Sequence, residues 1–393
     1  MNKSFYKKKK QRLRLGVVAN EFFDKKTGRM GGFGWATRQV AKCFKTSPEL
    51  GVDVVFVSGE NIASSGQTES VIHDTRLILK PESKVQRIRQ LWAEHFDLLL
   101  SIDYRPSYRP IFTALPRIPI VVWVRDPRPP EDMEKIQTVR IPGEEDRLPQ
   151  GLITPDCTSL NEVIGFSKWF MRPVLFGTPA TFLKQKVSGT YGATPPEVKL
   201  LPNIIDMDPG EIRKSEKPSV VFLARLDPYK RPWLFVELAH HFPEVDFIFL
   251  GQPHFHGKGA WAPDNLPENV SLKGHVQGAE KIGILSSAWV LINASIHEGL
   301  AVSFQEALRC ETPLLSCVDP EEAVSRFGIY VGRHDGDGRS SIPHFVEGLR
   351  TLLDDHQLRN RLGKEGRAWV EKIHNKDHFL QVFRELCEEA KVL

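Results

Sequence analysis

Short apolar runs alternate along this chain with segments whose apolar residues fall at helical spacing. Leu13 to Ala19 predicts a first strand, Val52 to Ser58 a second and Leu77 to Leu79 a third, while Leu98 to Ile102 and Ile118 to Val124 are near-continuously apolar. Strands without a polar face belong to parallel sheets covered on both sides. Between them, Trp35 to Phe44 carries Ala36, Val40, Ala41 and Phe44 on one helical face, and Ile88 to His95 reads as a further helix. Pro127 to Thr154, rich in Pro, Glu and Asp, breaks the rhythm and predicts an irregular excursion. Val163 to Phe166 then reads as a strand and Lys168 to Phe176 as a helix, before Pro195, Pro196 and Pro202 punctuate the chain.

The alternation restarts beyond Pro202. Strands are predicted at Val220 to Ala224, Val245 to Leu250, Val270 to Leu272, Trp289 to Asn293 and Pro313 to Ser316. Helices are predicted at Trp233 to His240, Ala279 to Ser286 and Val302 to Cys310, with amphipathic segments at Ile342 to Leu353, Leu358 to Ile373 and His378 to Ala390. This is the pattern of an α/β protein in two halves that meet near residues 202 to 215, with a ligand expected in the cleft between them.

Size and composition agree. A chain of 393 residues, 41% hydrophobic and 26% charged, accommodates two or three soluble domains. No apolar run approaches the roughly 18 residues of a membrane span, and no apolar segment follows the basic N-terminus as a signal peptide requires. Five widely spaced cysteines with no C-x-x-C argue against a disulfide framework or zinc site and for a reducing cytosol.

The formal charge of +4 hides an asymmetry, since Lys3, Lys7, Lys8, Lys9, Lys10, Arg12 and Arg14 all lie in the first 14 residues. The remaining 46 bases face 49 acids, so the body stands at −3 with a basic tail, 1–12, expected to be disordered. Such a body is no nucleic-acid binder, which needs a basic face on the folded domain. The tail is either a solvated run or a peripheral contact to an anionic membrane.

Two segments carry chemistry. In His297-Glu298-Gly299-Leu300-Ala301-Val302-Ser303-Phe304-Gln305-Glu306 a loop opens a helix, presenting free N–H groups and the positive end of the helix dipole to an anion. Gly299 permits close backbone approach, and Glu306, about one turn in, can accept hydrogen bonds from a diol such as a ribose. The plain alternative is a first-turn acid and a surface-loop acid. In Phe222 to Pro232 a strand delivers Arg225, and Lys230 follows at the next helix start. Two cations beside a helix N-terminus can grip a diphosphate, the arginine as a planar fork and the lysine as a point charge. A solvated charge cluster beside Asp227 is the alternative.

Together these segments resemble the retaining glycosyltransferases of family four, which have two facing Rossmann-like domains (GT-B). Arg225-Leu226-Asp227-Pro228-Tyr229-Lys230 fits that family's R-L-x-x-x-K, and Glu298-Gly299 with Glu306 fits its two glutamates eight apart. Pro202-Asn203-Ile204-Ile205-Asp206 is similar to the P-N-G-V-D that opens the second domain, with Ile204 in place of glycine, and Gly31-Gly32 to the glycine-rich loop of the first. The likeness is dense from Pro202 to Ser316 and thin from Asp126 to Phe166.

The resemblance implies an N-terminal acceptor-side domain, 13–202, a C-terminal donor-side domain, 203–375, and a last helix, 376–393, packing back on the first domain. It implies that Arg225 and Lys230 hold the donor diphosphate and that Glu306 binds the ribose. Glu298, with the backbone of Gly299, Leu300 and Ala301, would face the sugar and phosphates, His275 and Val276 would lie against the nucleobase, and Gly32 would let the first domain close. The donor would be a UDP- or GDP-sugar, the acceptor a glycan, lipid-linked glycan or small metabolite, and the configuration retained. No metal or cofactor is implied, and the place of action would be the cytoplasm, at the inner membrane face if the tail binds lipid.

One departure matters: many members carry a histidine where this chain has Arg125-Asp126-Pro127-Arg128. Arg125 is then a candidate contact to the donor sugar or an anionic acceptor. Asp126 is either the acceptor's base or a partner of Arg125 or Arg128. An epimerase or phosphorylase on the same fold, and a non-catalytic nucleotide-binding module, are the rival functions.

Four weaker signals are set aside. Gly32-Phe33-Gly34 lacks the third glycine of a dinucleotide fingerprint, position 37 being Thr. Asp335-Gly336-Asp337 and Asp206-Met207-Asp208 read as turns, and His254-Phe255-His256 as a surface loop rather than a metal site. Trp35 and Trp261 are candidate cleft walls.

Overall fold

The computed structural model describes residues 12–24, 31–60, 67–192, 197–205, 208–263 and 265–392. The lysines of the tail, Gly28, and the Asp206-Met207 pair lie outside the described residues. The described chain forms two α/β halves, each built on its own sheet.

The first sheet holds β1 (Leu13–Ala19), β2 (Val52–Ser58), β3 (Glu69–Ile72), β4 (Thr75–Ile78), β5 (Leu98–Ile102), β6 (Ile120–Trp123), β7 (Val174–Thr178) and β8 (Val198–Leu200). Their order is β3-β4-β2-β1-β5-β6-β7-β8, and only β3 runs antiparallel to its neighbour β4. Every residue of β5 and β6 is buried, which is why these strands read as near-continuous apolar runs, with only Ser101 polar.

The second sheet holds β9 (Ser219–Leu223), β10 (Asp246–Leu250), β11 (Val270–Leu272), β12 (Val290–Asn293), β13 (Leu314–Ser316) and β14 (Gly328–Tyr330), in the order β11-β10-β9-β12-β13-β14. All its pairings are parallel. Each sheet reverses its winding once, beside β1 in the first half and beside β9 in the second. Strand carboxyl ends at such a reversal leave a crevice for ligand.

Two crossings join the halves, and they are bonded to each other: Ile205 N–H donates to His374 O at 3.0 Å. The last helix, Lys376–Glu389, is capped by Asn375, whose Oδ1 accepts from His378 N at 2.8 Å. It lies on the first half, with Phe379 against Trp123 and Phe383 against Phe44, ring centroids 5.4 and 5.1 Å apart.

The segment between β6 and β7 departs from the sequence reading. Val163 to Phe166 is helix, within Leu160–Trp169, and the strand β7 occupies the end of the predicted helix 168–176. A short apolar run fits either state, and here the tertiary contact decides. Arg172 is buried in the loop between them and donates to Phe112 O and Leu115 O at 2.5 and 2.8 Å, pinning the helix end to its neighbour. The excursion 127–154 is not wholly irregular, since Pro129 and Pro130 open a helix, Pro130–Ile136. The antiparallel β3 was not expected.

Candidate active site

The carboxyl ends of both sheets border one cavity of about 460 Å³. Every described residue singled out from the sequence as catalytic or donor-binding lines it: Arg225, Lys230, Glu298, Gly299, Leu300, Ala301, Glu306, Gly32, His275 and Val276, together with Arg125 and Asp126.

Arg225 leaves β9 and turns into the cavity. Its Nε lies 3.1 Å from Asp227 Oδ2 and its Nη2 donates to the Tyr229 hydroxyl at 3.1 Å. A side chain on Gly31 would come within 3.6 Å of Arg225 Nη1, so the guanidinium spans to the first half, where Gly31 caps and Gly32 opens the helix Gly32–Lys45. That helix end directs unpaired N–H groups and a partial positive charge into the same space.

Lys230 ends the turn Pro228–Lys230, and its Nζ lies 2.6 Å from Glu298 Oε1. The same Glu298 oxygen accepts from Ser295 Oγ at 2.6 Å and Asn293 Nδ2 at 3.0 Å. Burial alone raises the Glu298 carboxyl, yet Lys230 and these donors hold it below its ordinary value. Burial likewise lowers Lys230, and Glu298 more than reverses this. Desolvating each ion costs several kcal/mol, so the contact persists only because the geometry and added hydrogen bonds offset that cost.

Ala301 precedes the helix Val302–Arg309, whose first N–H groups open on the cavity. Glu306 is buried on this helix and pairs with Lys281, Nζ to Oε1 2.6 Å. Gly299 has a steric reason: a Cβ there would meet the carbonyl oxygen of Arg125 at 2.3 Å. The two halves touch backbone to backbone at this point. His275 stacks edge-on against Phe23 of the first half, ring centroids 5.6 Å apart.

Asp126 pairs with Arg128, which donates through Nε and Nη2 at 3.0 and 2.6 Å. It also takes His297 Nε2 at 2.8 Å. An ionised carboxylate only accepts, so His297 carries a proton on Nε2. Burial raises the Asp126 carboxyl, but Arg128 and His297 outweigh it and keep it well below the carboxylate range. Arg125 pairs with no acid among the described residues. Its guanidinium lies 4.3 Å over the Trp123 ring, its Nε and Nη1 are buried without a hydrogen-bond partner, and burial pushes it down to about 10 against the pull of Asp103 and Asp126.

Several cavity residues were not foreseen. Lys281 and Arg105 come from outside any motif, and His297 was quoted in its segment without a role. His254, expected on a surface loop, lines the cavity 3.8 Å from Asp227 Oδ1. Trp35 is part of the wall, whereas Trp261 packs against Phe249 beneath the second sheet.

Residues 205–369 match the family described as glycosyl transferases group 1. The D-inositol 3-phosphate glycosyltransferases of Mycobacterium bovis and Mycobacterium tuberculosis are 26% identical to this chain over 207 residues, 47% of this chain and 41% of theirs. The match thus spans less than half of these curated relatives. Among solved structures, HepE of Anabaena in complex with UDP-glucose superposes with a TM-score of 0.68 at 13% identity, covering 96% of this chain and 100% of that one. Sucrose-phosphate synthase from Thermosynechococcus elongatus superposes with a TM-score of 0.65 at 14% identity over the same shares. At such identities the structural likeness establishes the fold. The chain has the two-domain GT-B fold, and its second half is similar in sequence to the glycosyl transferases group 1.

Proposed function

We propose that this protein transfers a sugar from a nucleotide-diphosphate donor to an acceptor hydroxyl with retention of anomeric configuration. The observation that carries this is the charge of the cavity. Arg105, Arg125, Arg128, Arg225, Lys230 and Lys281 line it against Glu21, Asp126, Glu298 and Glu306. Two helix N-termini add partial positive charge, so the wall is built for an anion such as a diphosphate, which carries about two negative charges in a sugar nucleotide.

Cleaving a glycosyl–phosphate bond builds negative charge on the leaving diphosphate and positive charge on the sugar. Arg225, Lys230 and the amides of Gly299 to Ala301 are arranged to stabilise the first, and a preorganised contact of this kind is worth about 3 kcal/mol. In this reading no metal is required, and the donor diphosphate draws Lys230 away from Glu298, whose carboxylate then accepts sugar hydroxyls. Glu306 Oε1 is committed to Lys281, which leaves its second oxygen for the ribose diol. Arg125, with two buried N–H groups lacking a partner, contacts the sugar or an anionic group of the acceptor. Asp126, held ionised, serves as a positioning group rather than a strong base.

The nucleotide is UDP or GDP in this proposal. HepE of Anabaena was solved with UDP-glucose, and the pneumococcal O-GlcNAc transferase GtfA with UDP and GlcNAc, which favours UDP. The acceptor class is a glycan, a lipid-linked glycan or a small molecule.

Thermal shift against UDP, GDP, ADP, CDP and NAD tests the donor site. A nucleotide at about 100 times its Kd adds about 2.7 kcal/mol, a rise of a few degrees. UDP or GDP should give that rise and Glu306→Ala should remove it. A shift by NAD alone, or by none of the five, would overturn the proposal.

A further inference from the structure

The excursion 127–154 leaves the first half after β6 and is built into the second half before it returns to the helix Leu160–Trp169. On the way Ile136, Val139, Ile141 and Leu152 are buried in one apolar core with Phe222 of β9 and Phe249 of β10. Thr138 Oγ1 accepts from Gly336 N–H of the second half at 3.0 Å. A buried apolar contact of this kind fixes two halves against each other, where a small polar one leaves them free to move.

Beyond Ile141 the excursion meets the loop that follows β10. Residues 252–260 form no helix or strand, so their backbone groups need partners from elsewhere. Gln150 and Glu144 supply them from the first half's chain. Gln150 Nε2 donates to His256 O at 3.1 Å and to Lys258 O at 2.7 Å, and its N–H donates to Gly259 O at 2.7 Å. Gly259 N–H in turn donates to Glu144 Oε2 at 2.9 Å. The two chains approach closely here: a Cβ on Gly151, whose φ of +79° suits glycine, would meet the Phe255 ring at 2.4 Å.

The loop held in this way is part of the cavity wall. Gly251, Gln252, Pro253, His254 and His256 all line the cavity. His254 stands 3.8 Å from Asp227 Oδ1, and Asp227 is the carboxylate that pairs with Arg225. Contacts therefore run from Gln150 through the backbone of His256 to His254, and on to the guanidinium assigned to the diphosphate.

We infer that residues 129–152 shape the donor wall of the cavity from across the two halves, with Gln150 and Glu144 as the positioning residues. The second half supplies the loop, and the first half holds it in the form that a nucleoside diphosphate meets. Only the identity of this ligand rests on the sugar-nucleotide reading above.

Gln150→Ala/Glu144→Ala in the full chain tests this, since it removes the three side-chain bonds to the loop and leaves the apolar contacts in place. Hydrogen–deuterium exchange without nucleotide should quicken about tenfold or more at the amides of 252–260, while β9 and β10 keep the protection of the parent. Calorimetric titration with UDP and with GDP should show the affinity of whichever binds the parent falling about tenfold, because the ligand must then order the loop itself. Gly151→Ala, which displaces Phe255 by steric contact, should weaken the same nucleotide. Unchanged exchange in the loop would overturn the inference. Faster exchange with unchanged affinity would also overturn it, since the loop would then be held without serving the ligand. So would exchange that quickens equally in β10, which would make the excursion a brace for the stability of the second half. Binding of neither nucleotide to the parent would refute the sugar-nucleotide reading instead, and the exchange result alone would then decide whether the first half holds the loop.

Discussion

Lys230 Nζ and Glu298 Oε1 are 68 residues apart in the chain and 2.6 Å apart in the fold. A turn after β9 supplies the cation and a loop after β12 the carboxylate, and the two strands are neighbours in the sheet. The pair is enclosed, so removing one partner strands a charge without water. Lys230→Met should destabilise the protein by about 3 kcal/mol, and Lys230→Met/Glu298→Gln by less than the sum of the single changes. A double-mutant cycle in urea reads this, and strict additivity would mean that the two groups do not depend on each other. Both single variants should also slow donor turnover about a hundredfold.

Gly299 lets the halves meet at the Arg125 carbonyl, where a Cβ would stand at 2.3 Å. Gly299→Ala should force them apart at the point where Glu298 and Arg125 border the same cavity. A displacement of this size is expected to lower kcat about a hundredfold while leaving each half folded. Steady-state kinetics with the donor checks it. Unchanged turnover would show that this contact is absent from the reacting conformation.

His374 is buried at the crossing between the halves, and both ring nitrogens lack a hydrogen-bond partner. Burial, with His378 and Arg125 nearby, lowers it to about 3. The folded protein therefore keeps it neutral while the unfolded chain protonates it near its ordinary value of 6.5. Between about pH 6.5 and 3 the unfolded state binds the extra proton, so His374 costs stability progressively as pH falls through that window and nothing above it. At pH 5 the cost is about 2 kcal/mol. Urea unfolding at pH 7 and pH 5 should show a smaller acid loss for His374→Gln than for the parent, and equal losses would remove His374 from the account.

Arg231 is fully buried beside Lys230 and serves the frame instead of the ligand. Its guanidinium donates to Ala294 O at 2.7 Å, His334 O at 2.6 Å and Cys317 Sγ at 3.0 Å, tying the loops after β12, β13 and β14 to the start of the helix Pro232–Ala239. An ammonium cannot reach these acceptors from one point. Arg231→Lys should therefore cost about 3 kcal/mol with the charge preserved. A denaturant midpoint indistinguishable from the parent would contradict this.

The sequence determined the elements whose cause is local. Val220 to Ala224 is apolar throughout, and Leu98 to Ile102 is broken only by the small Ser101, because a strand covered on both faces favours apolar side chains. The spacings Arg225 to Lys230 and Glu298 to Glu306 were legible because a strand end and the following helix start fix them. The sequence could not settle Val163 to Phe176, since a short apolar run satisfies either period and only the Arg172 contacts choose.

Only the tertiary structure brought Lys281 to Glu306 and His297 to Asp126. Each of these contacts joins residues far apart in the chain, and nothing in the spacing of one segment encodes where another will lie. That placement follows from the order of strands in each sheet, which the packing of the whole chain decides.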